Sequence, residues 1–114
     1  MTSENPLPIN RDEALERVDG DDDFLQELLG LYHDEFAKRF DALERAVASN
    51  NFAVIWEAGH GLKGASANLS LPGLQAAAFD MEAAGRERNA DRAAKTLDRL
   101  RTEYDRLKAY LGTP

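Results

Sequence analysis

His60 stands in the stretch AGHGLKGASANL, residues 58–69, with Lys63 three residues on and glycines at 59, 61 and 64. An imidazole with an uncommitted ring nitrogen is a nucleophile near neutral pH. An ammonium at i+3 on a helix can reach a group attached to that ring, which matters if the group is anionic. Each glycine weakens a helix interior by about 1 kcal/mol relative to alanine. Three together amount to roughly 3 kcal/mol, a serious share of the ~5–15 kcal/mol that holds a typical domain together.

Residues set at steps of about 100° around the helix axis, with His60 at zero, sort into two faces. Ile55, Ala58, Leu62, Ala65 and Leu69 gather on the opposite side and form the core stripe, so His60 points outward. Within about 60° of it lie Ala53, Trp56, Glu57, Lys63, Gly64 and Ala67, flanked by Gly61 and Asn68. A solvated face is ordinarily filled with long charged side chains, as with Arg99, Arg101, Glu103 and Arg106. Around His60 most side chains are absent or a single methyl. Stripping of this kind suits the close approach of another molecule's backbone, and access is the expected reason for the glycines. Gly61, Gly64, Ala67 and Asn68 are therefore candidate partner-binding positions. Trp56, a turn before His60, is either an apolar contact for that partner or a bridge between two helices.

A third group follows from the expected hairpin. With a turn around Ser70-Leu71-Pro72, His60 lies about eleven residues before the turn centre and Glu82 about eleven after it. A carboxylate there would accept the Nδ1–H of His60, fix the tautomer and leave the Nε2 lone pair outward. The alternative is an exposed Glu82 paired with Arg86 at i+4.

The elements that position these residues read as all-α, an antiparallel up-down four-helix bundle with a short additional N-terminal helix. Asn10 opens the short helix, with Glu13 three residues on as in a capping box, and Asp19-Gly20 stops it. A second helix from about Asp22 to Ser49 carries Phe24, Leu25, Leu28, Leu31, Tyr32, Phe36, Phe40, Leu43 and Val47 at three- and four-residue steps. The third spans about 52–69. The fourth starts at Pro72, buries Leu74, Ala77, Ala78 and Met81, and fades near Arg88-Asn89. The last, from about Asp91 to Leu111, uses Ala94, Leu97, Leu100, Tyr104, Leu107 and Leu111, and Gly112 with Pro114 ends it. Residues 1–9, with two prolines, read as a flexible N-terminal arm and 10–114 as one helical domain. The short arm and the end at Pro114 fit a free-standing protein, the alternative being a domain excised from a larger one.

Among 114 residues the net charge is −7, which argues against nucleic acid as a partner. No apolar run is long enough to span a membrane and the start has no secretory signal pattern. The absence of cysteine excludes disulfides and thiolate metal sites and fits a cytoplasmic address. Asp19, Asp21, Asp22 and Asp23 read as a helix start complementing the macrodipole, because the spacing of a metal loop is missing. No metal site and no cofactor is expected. His33, beside Asp34 and Glu35, reads as a surface residue.

His60 to Leu69, H-G-L-K-G-A-S-A-N-L, resembles the signature of histidine-containing phosphotransfer (HPt) domains, H-x-L-K-G-x-[SA]-x-x-[LI]-G. The resemblance extends over nearly the whole chain, including an acidic turn at Gly20-Asp21. It implies a phosphorelay intermediate with phosphate on Nε2 of His60, Lys63 against the phosphoryl oxygens, Gly64 leaving room for the partner and Glu82 on the other ring nitrogen. The implied partners are response-regulator receiver domains and a hybrid histidine kinase, with Mg²⁺ on the receiver and this chain monomeric. Ser70 departs from the family pattern, which has glycine there; Pro72-Gly73 is expected to make the turn instead. Gly59 and Gly61 are also atypical and suggest an open or mobile stretch. No nucleotide-binding loop is present, so the expected role is phosphotransfer without kinase activity. The rival readings are an HPt-like adaptor that binds receivers or helices without carrying phosphate, and a bundle metalloprotein, for which a second Glu-x-x-His pair is missing.

Overall fold

The computed structural model describes residues 7–112, which hold five α-helices and no strand. These are α1 (Arg11–Arg17), α2 (Asp22–Ser49), α3 (Phe52–Asn68), α4 (Pro72–Glu87) and α5 (Ala90–Leu111). Their starts follow local chemistry. The side chains of Asn10, Asp21, Asn51 and Asn89 each accept the backbone N–H three residues on, satisfying donors that the helix itself leaves unpaired. Pro72 opens α4, where its missing N–H is harmless. Left-handed Asn50, Arg88 and Gly112 cap the ends of α2, α4 and α5.

The four long helices pack in the order α2, α3, α4, α5, and α2 also meets α5. Cross-helix pairs give their sense. Tyr32 Oη lies 2.8 Å from Ser66 Oγ while Arg39, further along α2, lies against Gly61, so α2 and α3 run antiparallel. His33 meets Tyr104 and Glu44 meets Arg101, so α2 and α5 do too. Leu25 and Leu43, Ile55 and Leu62, Leu74 and Met81, and Leu100 and Leu107 are fully buried, two from each long helix. Each such side chain contributes about 1.5–3 kcal/mol through burial. The Tyr32–Ser66 bond lies inside this core, and burial pushes the Tyr32 phenol well above its ordinary range.

Several details differ from the sequence reading. Phe24 and Leu31 are exposed, whereas Leu29 and Ala46 join the core. Phe24 and Leu31 lie roughly 100–120° around α2 from the line through Leu25 and Leu43, outside the arc a bundle helix buries. On α5 the buried alanine is Ala93, not Ala94. Of the expected arm, residues 1–6 lie outside the described residues, but Pro8 and Ile9 are buried and Ile9 belongs to the core. The chain is clasped there. Asn10 N–H donates to Ser70 C=O (2.8 Å) and Ser70 Oγ donates to Glu13 (2.6 Å), so the capping box is not closed and its carboxylate ties α1 to the α3–α4 turn. That turn is made by Ser70 itself, in the left-handed region at φ +59°, rather than by Pro72-Gly73, which already belong to α4. The two hydrogen bonds hold a conformation that costs a non-glycine residue about 1–2 kcal/mol.

Two glycines set how closely α3 and α4 approach. A Cβ on Gly59 would stand 2.5 Å from the Glu82 backbone nitrogen, and one on Gly85 would stand 2.7 Å from the Trp56 Cα. Neither obstacle is a side chain that can swing aside. Gly59→Ala and Gly85→Ala are each expected to lose about 1–3 kcal/mol net, overpacking outweighing the gain in helix propensity. Urea denaturation checks this, and an unchanged midpoint in both variants would contradict so close a contact.

Candidate functional site

The side chain of His60 is 57% exposed on the outer face of α3. Its ring lies parallel to that of Trp56, with centroids 5.0 Å apart and planes at 5°. On the other side, Nδ1 is 2.7 Å from Glu82 Oε2, and Lys63 Nζ donates to Glu82 Oε1, also at 2.7 Å. The Glu82 side chain is only 6% exposed. One buried carboxylate on α4 thus holds both His60 and Lys63 of α3. The mirrored register about the turn brings them together, and Gly59 allows Glu82 to come that close. Glu82 makes no ion pair with Arg86.

The Lys63 hydrogen bond is the main influence holding the Glu82 carboxyl below its ordinary value of 4.5; burial opposes it and the His60 hydrogen bond assists it. Glu82 is therefore ionised at neutral pH and can only accept, so the short contact places a proton on Nδ1. In the neutral ring the lone pair then belongs to Nε2, for which the described residues offer no hydrogen-bond partner. Lys63 is half-buried, and its Nζ also lies 5.8 Å from the Phe79 ring centroid.

The three glycines of α3 have different reasons. Only Gly64 opens to space, with nothing within 4 Å of where its Cβ would be. Gly59 is filled by the backbone of α4, and beside Gly61 lies the guanidinium of Arg39. The expectation that all three strip the surface for access is corrected at Gly59 and Gly61, whose missing side chains make room for other parts of the chain. Ala67 is half-buried and Asn68 exposed. His33 is also not the surface residue expected: it is half-buried, with Nδ1 2.6 Å from Tyr104 Oη. Burial, assisted by the Lys108 charge, holds its pKa below 6.5.

Sequence reading missed Gly85 and Arg39. Gly85 mirrors Trp56 across the turn as Glu82 mirrors Gly59, a register signal that was available. Arg39 carried none, because which α2 residue faces Gly61 depends on helix packing. Among the described residues no group of three His, Cys, Asp or Glu could hold a metal ion, and no helix is long and apolar enough to cross a membrane.

The Hpt domain family model matches residues 27–110, a span that contains His60, Lys63 and Glu82. The chain belongs to the Hpt family. Comparison with curated proteins and with solved structures gave no match. Hpt domains are phosphotransfer modules of two-component phosphorelays rather than kinases, and they act with receiver domains and histidine kinases.

Two stability measurements probe the site. Because the folded pKa of Glu82 lies below 4.5, the unfolded chain takes up the proton first as pH falls. The stabilisation is complete above that value and is lost on descent through the folded pKa. The melting-temperature gap between wild type and Glu82→Gln is therefore expected to hold above about pH 4.5 and to shrink as the pH falls below it; a gap that stays constant through that fall would contradict it. Gly64→Ala, unlike the two packing glycines, is expected to gain up to about 1 kcal/mol in urea denaturation, and a loss would show that the open space is not there.

Proposed function

We propose that this Hpt domain, an up-down four-helix bundle, is a phosphorelay intermediate that accepts a phosphoryl group on Nε2 of His60 and passes it on. The donor is the aspartyl phosphate of a receiver domain, borne by a hybrid histidine kinase, and the acceptor is the aspartate of a second receiver. The observation that carries this reading is the exposed imidazole whose inner nitrogen is bonded to an ionised, buried carboxylate.

In the forward step the Nε2 lone pair attacks phosphorus, an N–P bond forms, and the bond from phosphorus to the aspartyl oxygen breaks. The carboxylate leaves with the electron pair. The Nδ1 proton stays on the ring, which gains positive charge, and Glu82 at 2.7 Å offsets that charge. Transfer to the second receiver reverses these events. Phosphoryl transfer has a loose transition state, so positioning and charge neutralisation do most of the work. Trp56 stacks on the ring and restricts its rotation. Lys63 faces phosphoryl oxygens from one turn further along α3, sharing its charge with Glu82. The open surface at Gly64 admits the partner, and Mg²⁺ comes with the receiver.

Incubation with receiver domains labelled on aspartate tests the reading. The expected product is an acid-labile, base-stable label on wild type that is absent from His60→Gln. Lys63→Ala is expected to retain the site of labelling with a rate lower by about 10²–10³-fold. Wild type that binds a labelled receiver without taking the label would replace the relay with an adaptor.

A further inference from the structure

Arg39 reaches from α2 to the helix that carries His60. A Cβ on Gly61 would run into its Cζ and Nη1 and stand 2.8 Å from Nη2, so the guanidinium occupies the place of that missing side chain. Its Nε donates to Glu35, one turn earlier on α2. Among the described residues Nη1 and Nη2 donate no hydrogen bond. A planar fork that can grip two oxygens of a carboxylate or phosphate at once is thus uncommitted, one residue from the imidazole.

Charge says what it faces. Lys63 is already matched to Glu82, so with a neutral His60 the three side chains sum to zero. The chain as a whole carries −7 and repels an acidic partner. A receiver pocket presenting an aspartyl phosphate is such a partner, since it brings phosphate and carboxylate together. Gly61 lies about 100° around α3 from His60, on the flank opposite Gly59 and Glu82. Arg39 therefore adjoins the rim of the docking face rather than the Nδ1 side of the ring. Its pair with Glu35 is partly exposed, 34% and 41% for the two side chains. Exposed pairs contribute about 0–1 kcal/mol, so exchanging Glu35 for an anion on a partner is easy.

We propose that Arg39 is a positioning residue that holds an acidic receiver over His60, giving its Nη fork to a carboxylate at the rim of the receiver's phosphoryl pocket. The proposal rests on the relay reading and deepens it. Gly61 belongs to the same device, because a side chain there displaces the guanidinium.

The test measures initial transfer rates from receiver domains charged with acetyl phosphate, over a range of receiver and salt concentrations. Labelling of His60 by phosphoramidate serves as the partner-free control. Arg39→Ala is expected to raise KM about 10-fold with kcat within about 2-fold, and to flatten the salt dependence. Arg39→Lys falls between, since a point charge replaces a fork, and Gly61→Ala raises KM with Arg39 intact. Phosphoramidate labelling stays at the wild-type rate in all three. Unchanged KM and salt dependence in Arg39→Ala would overturn the role of Arg39 alone. A fall in kcat together with slower phosphoramidate labelling would also overturn it, in favour of a structural role or a direct contact with the reacting atoms. Wild type labelled by phosphoramidate but by no receiver would remove the relay reading, and Arg39's part with it.

Discussion

A carboxylate buried between two helices needs partners for both its oxygens, and much of the site follows from how Glu82 finds them. Lys63 takes one oxygen and His60 the other, each at 2.7 Å. A buried charge left half-paired is strongly destabilising, so this arrangement restrains the imidazole, the ammonium and the approach of α3 to α4 together. The close approach in turn needs Gly59 and Gly85, one from each helix, where any side chain would meet backbone. Glycines that would weaken an isolated helix here let α3 and α4 approach closely enough for Glu82 to reach His60 and Lys63.

The same interaction links stability to chemistry. Ionised Glu82 keeps the proton on Nδ1, which leaves Nε2 as the nucleophile in the proposed relay and offsets the positive ring that transfer creates. Trp56 stacks on the ring while its backbone packs against Gly85. The imidazole is therefore exposed to a partner yet restrained by residues that belong to the α3–α4 contact. For a reaction governed by positioning, rigid support beneath an accessible atom is the useful combination.

Away from the site, the turn at Ser70 shows the fold sustaining an unfavourable local conformation through tertiary contacts. Asn10 and Glu13 hold it from α1, which draws the start of the described chain into the core through Ile9. The short first helix thus steadies the hairpin turn from which Glu82 and His60 are both measured.

Helix number, starts and stops were legible in the sequence because caps and apolar periodicity are local properties: Asn10, Asp21, Asn51, Pro72 and Asn89 open helices by chemistry that needs no neighbour. The outward face of His60 and its register with Glu82 were legible too, the first from 3.6-residue geometry and the second from distance to a turn. What each glycine is for was not. Gly59, Gly61 and Gly64 look alike in sequence, and only packing decides that one faces a backbone, one a guanidinium and one open space. Arg39 beside Gly61, Ile9 in the core and the left-handed Ser70 were likewise decided by tertiary contacts. Periodicity tells a residue which side of its own helix it occupies; the residue of another helix that it meets depends on how closely and in what rotation the two helices settle.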